Sequence, residues 1–189
     1  KSMIFGILFS FRNISMDFSN RLPKIVVVGP KGSGKTFLFK NLAKLGKWEE
    51  FLSKNNSQAS INAKIIQALS SSGDETSEIN LFLKDTIASR KSKLPSEWLD
   101  FWLSFLASKV SEKIIKTSGG EFFKDIKLKE NIIFLLDGFE RNFEKFYDDE
   151  FAQNAIRSLI LDVPNFFSAY PSIGIIVFIR EDIVSYSIK

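Results

Sequence analysis

The stretch Lys24-Ile25-Val26-Val27-Val28-Gly29-Pro30-Lys31-Gly32-Ser33-Gly34-Lys35-Thr36 decides the fold. Four β-branched residues, Ile25 to Val28, read as a buried strand. They give way to G-x-x-x-x-G-K-T over Gly29 to Thr36, and a helix-period pattern follows. That order of strand, loop and helix builds a cradle for a compact anion. Without a Cβ, glycine reaches positive φ, so the chain bends until successive N–H groups point inward. Gly29, Gly32 and Gly34 hold those places, and Ser33 adds a small residue between them. A helix starting near Lys35 turns its N-terminal partial positive charge toward the same point.

The pattern is that of the phosphate-binding loop, or Walker A motif, and it predicts binding of a nucleoside triphosphate. The candidate nucleotide-binding residues are Gly29, Pro30, Lys31, Gly32, Ser33, Gly34, Lys35, Thr36 and Phe37. Lys35 is expected to reach the β- and γ-oxygens. The Thr36 hydroxyl is the candidate ligand of Mg²⁺, which prefers oxygen donors and keeps several waters. ATP and Mg²⁺ are therefore the expected cofactors, with the purine only inferred.

Composition narrows the chemistry. The chain has 189 residues, 44% hydrophobic and 25% charged, which is one ordinary globular domain with room for a core. There is no Cys and no His. Disulfides, thiolate nucleophiles and imidazole acid–base chemistry are thereby excluded. What remains is carboxylates, Lys, Arg, hydroxyls and a hard metal ion, the toolkit of phosphoryl transfer. The formal net charge of +4 permits an acidic partner or nucleic acid without demonstrating either. A domain that uses ATP is expected in the cytosol.

Residues 1–22 read as an N-terminal arm or connector, and residues 23–189 as the nucleotide-binding domain. Met3–Phe11 is apolar but too short to span a bilayer as a helix. It fits a signal-peptide core, or a buried strand or docking arm of a longer parent chain.

Along the chain, a strand is predicted at about 24–28 and a helix at about 35–45, closing near Gly46. Asn55-Asn56-Ser57 is a candidate cap for a helix carrying Ile61, Ile65, Ile66 and Leu69. A second helix is expected at about 77–90, with Ile79, Leu83 and Ile87 at helical spacing. Pro95-Ser96 opens a third over about 97–116, in which Trp98, Trp102, Phe105, Leu106, Val110 and Ile114 form a wide apolar stripe. The stripe suits core packing, a partner groove or base stacking. A helical insertion or subdomain over about 55–118 is therefore expected, and no second sheet strand is legible within it. Ile132–Leu136 and Ile173–Ile179 are continuous apolar runs, as in buried parallel strands. Between them Asp148-Asp149-Glu150 starts a helix that Pro164 is expected to stop. The class is α/β, with a parallel sheet and helices on both faces.

In such sheets ligands collect beyond the carboxyl ends of the strands, so Lys35, Asp137 and Arg180 are predicted to share one edge. Asp137 ends its strand in the manner of a Walker B aspartate that holds Mg²⁺ through water; a turn residue helped by Gly138 reads the same way. Glu140 is the candidate to orient or deprotonate attacking water, or an exposed loop acid. Arg180 is the candidate to read the γ-phosphate, since a guanidinium suits a pair of phosphoryl oxygens; pairing with Asp182 or Glu181 is the alternative. The candidate catalytic residues are thus Lys35, Glu140 and Arg180, and the candidate metal ligands Thr36 and Asp137.

Leu135-Leu136-Asp137-Gly138-Phe139-Glu140-Arg141 resembles the Walker B segment of KAP-type P-loop NTPases and of STAND NTPases. Phe178-Ile179-Arg180-Glu181-Asp182-Ile183 is similar to the strand-plus-Arg segment that follows in those groups. The resemblance covers about 40 residues, and it implies the additional-strand class, whose Walker B strand is separated in the sheet from the Walker A strand. It also implies slow, switch-like hydrolysis coupled to assembly, a protein partner or a second copy of the chain, a role in bacterial defence or signalling, and C-terminal regions lying beyond Lys189. The sequence departs from the KAP pattern at Gly138, where a second acid stands, and at Glu140. A nucleotide kinase would need several arginines closing over two substrates, and the six here are scattered. A GTPase would need N-K-x-D, which does not follow Asp137. An ATP-binding scaffold without turnover is the remaining alternative.

Overall fold

The computed structural model describes residues 21–54, 61–70, 85, 95–111, 118–139 and 146–188. Its sheet has four parallel strands: β1 (Lys24–Gly29), β2 (Lys64–Leu69), β3 (Ile132–Asp137) and β4 (Ile173–Arg180). Their spatial order is β1-β4-β3-β2. β4 therefore lies between the strand that leads into the glycine-rich loop and the strand that ends in Asp137. All six residues of β3 are buried, as are the first seven of β4. These two have a strand on each side, so their residues are covered on both faces and read as unbroken apolar runs.

Side chains alternate across the sheet, and each face carries its own helices. Val27, Ile133, Leu135, Ile176 and Phe178 pack with Phe39 and Leu42 of α1 (Lys35–Leu45) and with Trp48 and Leu52 of α2 (Trp48–Lys54). Val26, Phe134, Leu136, Ile175, Val177 and Ile179 face the other cluster. That side is built from α3 (Pro95–Ser111), α4 (Gly119–Asp125), α5 (Glu150–Arg157), α6 (Val163–Phe167) and α7 (Glu181–Ser187). A parallel sheet with helices on both faces is thus present, an arrangement compatible with a Rossmann-like fold.

The expected all-helical interval over 55–118 is corrected by β2. Ile65 pairs with Ile133 and Ile66 with Phe134, in parallel. Ile61, Ile65, Ile66 and Leu69 fit a helical repeat, yet Ile65, Ala68 and Leu69 are buried as strand residues while Lys64 and Gln67 are exposed. A register shift between Gln67 and Leu69 breaks the twofold alternation that would have marked a strand. The cap proposed at Asn55–Ser57 and, apart from Asp85, the helix at 77–90 lie outside the described residues.

The stripe of α3 is core. Trp98, Trp102, Phe105 and Leu106 are fully buried, and the Trp102 indole N–H donates to the Ala155 carbonyl at 2.8 Å. Gly119 begins α4 against the α3 backbone: a Cβ there would stand 2.1 Å from the Ser104 nitrogen, so only glycine fits. The acidic run does open α5: Asp149 caps it, accepting from the N–H groups of Phe151 and Ala152. Pro164 does not stop the helical run. A π-helical turn (Ser158–Asp162) precedes it and places the proline in the first turn of α6, where its missing N–H is least needed.

Candidate functional site

The C-terminal ends of the four parallel strands lie along one edge of the sheet, and the candidate residues gather there. β1 ends at Gly29, whose register partner is Arg180 at the end of β4. Asp137 ends β3 beside Phe178. The loop after Gly29 turns tightly, with the Ser33 N–H donating to the Pro30 carbonyl at 3.2 Å. Gly32 and Gly34 have φ of +83° and +88°, values that a side chain would strain. A Cβ on Gly29 would lie 2.8 Å from the Ser33 hydroxyl. Gly34 is the N-cap of α1, no side chain caps that terminus, and no acid sits in its first turn. The positive end of the helix therefore faces the loop uncompensated by a carboxylate of its own.

Lys35 arches back over this loop. Its ammonium donates to the Gly29 carbonyl at 2.6 Å, the Pro30 carbonyl at 2.8 Å and the Ser33 hydroxyl at 3.2 Å. Its charge is thus fixed at the centre of the loop. The Thr36 hydroxyl donates to Asp137 Oδ2 at 2.9 Å, across 101 residues of sequence. Asp137 is only 6% exposed. Pro30, Lys31, Gly32 and Ser33 are exposed, and Phe37, just beyond Thr36, is 67% exposed.

Arg180 is at the predicted edge, but its side chain is engaged. The guanidinium grips Asp182 through Nε at 3.0 Å and through Nη2, and the Tyr147 hydroxyl donates to the same carboxylate at 2.7 Å. The sequence named Asp182 as a partner for Arg180. It gave no signal for Tyr147, which comes from a 3₁₀ turn (Phe146–Asp148) 35 residues away. Glu140 lies outside the described residues. Gly138 is buried with φ of +74°, so the place where the resemblance has a second acid is one that a carboxylate side chain would strain.

Burial alone would raise the Asp182 carboxyl, but the hydrogen bonds from Tyr147 and Arg180 and the arginine charge outweigh it and hold Asp182 below the usual carboxylate value. A depressed carboxyl contributes stability above its unfolded value, near pH 4, and loses it as pH falls through the folded value. Both partners are well exposed, so the contribution is small. Asp182→Ala is expected to cost less than about 1 kcal/mol at pH 7 and to bring no further loss below about pH 3. Urea unfolding of the two proteins at both pH values checks this.

Among the described residues no group of three or more acidic side chains could hold a metal ion by itself. Thr36 and Asp137 do fit a Mg²⁺ ion of the kind that takes one or two protein oxygens and completes its shell with water and phosphate. The arrangement therefore offers a glycine-built cradle, a fixed ammonium and a hard oxygen pair within one turn of a helix N-terminus. No helix among the described residues is long and apolar enough to cross a membrane. Compared with protein-family models, curated proteins and solved structures, the chain finds no match.

Proposed function

We propose that this domain is a P-loop ATPase of the additional-strand class, resembling KAP-type and STAND NTPases, that binds Mg-ATP and hydrolyses it as a molecular switch or assembly motor. The observation that carries the reading is the hydrogen bond from Thr36 to Asp137 beneath a loop with Lys35 at its centre. Two motifs far apart in sequence meet at one point, with the residue types that a metal-bound triphosphate requires. The position of β4 between the two motif strands supports the class.

In this reading the loop N–H groups and Lys35 bind the β- and γ-phosphates, and Lys35 exchanges its carbonyl partners for phosphoryl oxygens. Thr36 and Asp137 would hold Mg²⁺, directly and through water, where the ion would neutralise phosphate charge. Glu140 would orient or deprotonate the attacking water. Arg180, carried beside Gly29 by the β1–β4 register, would read the γ-phosphate at the cost of its grip on Asp182. Catalysis is then positioning and electrostatics rather than covalent chemistry.

Gly138 favours one second reading, an ATP-binding scaffold without turnover. Glycine at that position supplies no carboxylate, so Glu140 would have to supply the acid. Steady-state phosphate release from ATP and GTP with Mg²⁺ separates the two. The ATPase reading expects turnover that Glu140→Gln lowers at least about 100-fold, the scale of a positioned general base, while ATP binding is kept. ATP binding with no turnover in either protein supports the scaffold.

A further inference from the structure

A recess lies beside the same sheet edge, on the β2 side of Asp137. Its volume is about 250 Å³, and Phe39, Lys40, Ala43, Lys44, Gln67 and Ser70 line it. Leu69 is in register with Leu136, the residue before Asp137. Lys40 is one helical turn beyond Thr36. The recess thus neighbours the glycine-rich loop but shares none of its residues.

The charge in it is one-sided. Lys40 and Lys44 are both exposed and occupy one face of α1 a turn apart. Like charges so placed destabilise a helix mildly, and no acid within the helix offsets them: α1 carries three lysines and no Asp or Glu. Among the described residues no acid lines the recess. Lys44, in the last turn, complements the helix dipole. Lys40, in mid-helix, has no such role, yet it opens on the same space. From the facing strand, the exposed Gln67 brings an amide donor. Phe39, buried against Phe178, supplies the apolar part of the lining and fixes the helix there.

We infer that this recess binds a phosphate group, carried either by the backbone of a single-stranded nucleic acid or by a small phosphorylated molecule. Two lysines from α1 and a glutamine from β2, lining one recess, offer the positive charge and the donors that a phosphate's several acceptor oxygens take. The inference stands apart from the ATPase reading, because its residues are different.

The test uses the chain carrying Lys35→Ala, so that the loop contributes little to either probe. A short fluorescent oligothymidylate is titrated by anisotropy over a range of salt, and inorganic pyrophosphate by calorimetry. Adding Lys40→Ala and Lys44→Ala is expected to weaken at least one probe about tenfold, and Lys40→Arg with Lys44→Arg to restore it. For the oligonucleotide the salt slope should fall by about 0.7 per lysine removed. Lysine-dependent binding of the oligonucleotide assigns the recess to a phosphodiester backbone; lysine-dependent binding of pyrophosphate alone assigns it to a small ligand. Lys47→Ala with Lys64→Ala, both exposed and outside the recess, should be silent. Binding of neither probe, binding indifferent to Lys40 and Lys44, or equal loss in the Lys47/Lys64 variant overturns the inference.

Discussion

Replacing Lys35 with alanine is expected to weaken ATP binding about 100-fold, from two charge-assisted contacts to phosphate at about 1.5 kcal/mol each. The ammonium already sits where such contacts are made, within 2.6–3.2 Å of the Gly29 and Pro30 carbonyls and the Ser33 hydroxyl. Those three acceptors also show what else the substitution removes, because Lys35 braces the loop that it serves. Lys35→Arg separates brace from contact. It keeps the charge, but its planar fork does not match a pocket shaped for a compact ammonium, so its affinity should lie between wild type and alanine. Folding should hardly change, since the loop is exposed and the core is elsewhere. Calorimetric titration with Mg-ATP, beside a thermal melt, reads both quantities. Thr36→Ala should behave differently, with an affinity loss seen with Mg²⁺ and absent in chelator, because its hydroxyl faces Asp137 and not the loop. ATP affinity unaltered by Lys35→Ala would remove the basis for the nucleotide reading.

What the sequence made legible follows from where each element sits in the sheet. β3 and β4 are central and buried on both faces, so every position had to be apolar and the runs stood out. β1 was legible for another reason, since its β-branched run feeds the glycine-rich loop. β2 is an outer strand of the described sheet, with β3 as its one neighbouring strand there, and alternates imperfectly because of its register shift. Its isoleucines were therefore free to imitate a helical stripe. Pro164 misled in a similar way: the rule that proline ends a helix assumes an α-helical ladder in front of it, and here the π turn changes the ladder first. At the site, Gly29 to Thr36 and Asp137 were legible because strand ends of a parallel sheet converge whatever their separation in sequence. The Tyr147–Asp182–Arg180 contact was only half legible. Asp182 is two residues from Arg180, but nothing local marks a tyrosine brought in from another element.

Trp102→Ala is expected to lower folding stability by about 3–5 kcal/mol, the range for deleting a large aromatic side chain from a core. Trp102 is fully buried, with Phe101 and Phe105 edge-on to its ring at centroid distances of 5.0 and 6.2 Å. Its indole N–H reaches the Ala155 carbonyl, three residues before the π turn begins. The residue therefore ties α3 to α5 where the helical ladder is about to change its pitch. Trp102→Phe isolates that tie. It keeps most of the apolar contact, removes the donor, and should cost about 1–2 kcal/mol from a lost hydrogen bond and a small void. Chemical denaturation of the three proteins gives both numbers. The comparison also bears on function, because the same stripe is compatible in sequence with a surface for stacking bases. A core residue that is replaced changes the fraction folded and leaves the affinity of the folded molecules for nucleic acid untouched. A stacking residue does the reverse. With its ring fully buried and its one donor satisfied by the protein's own backbone, Trp102 should follow the first pattern, and a stability loss below about 1 kcal/mol would contradict its place in the core.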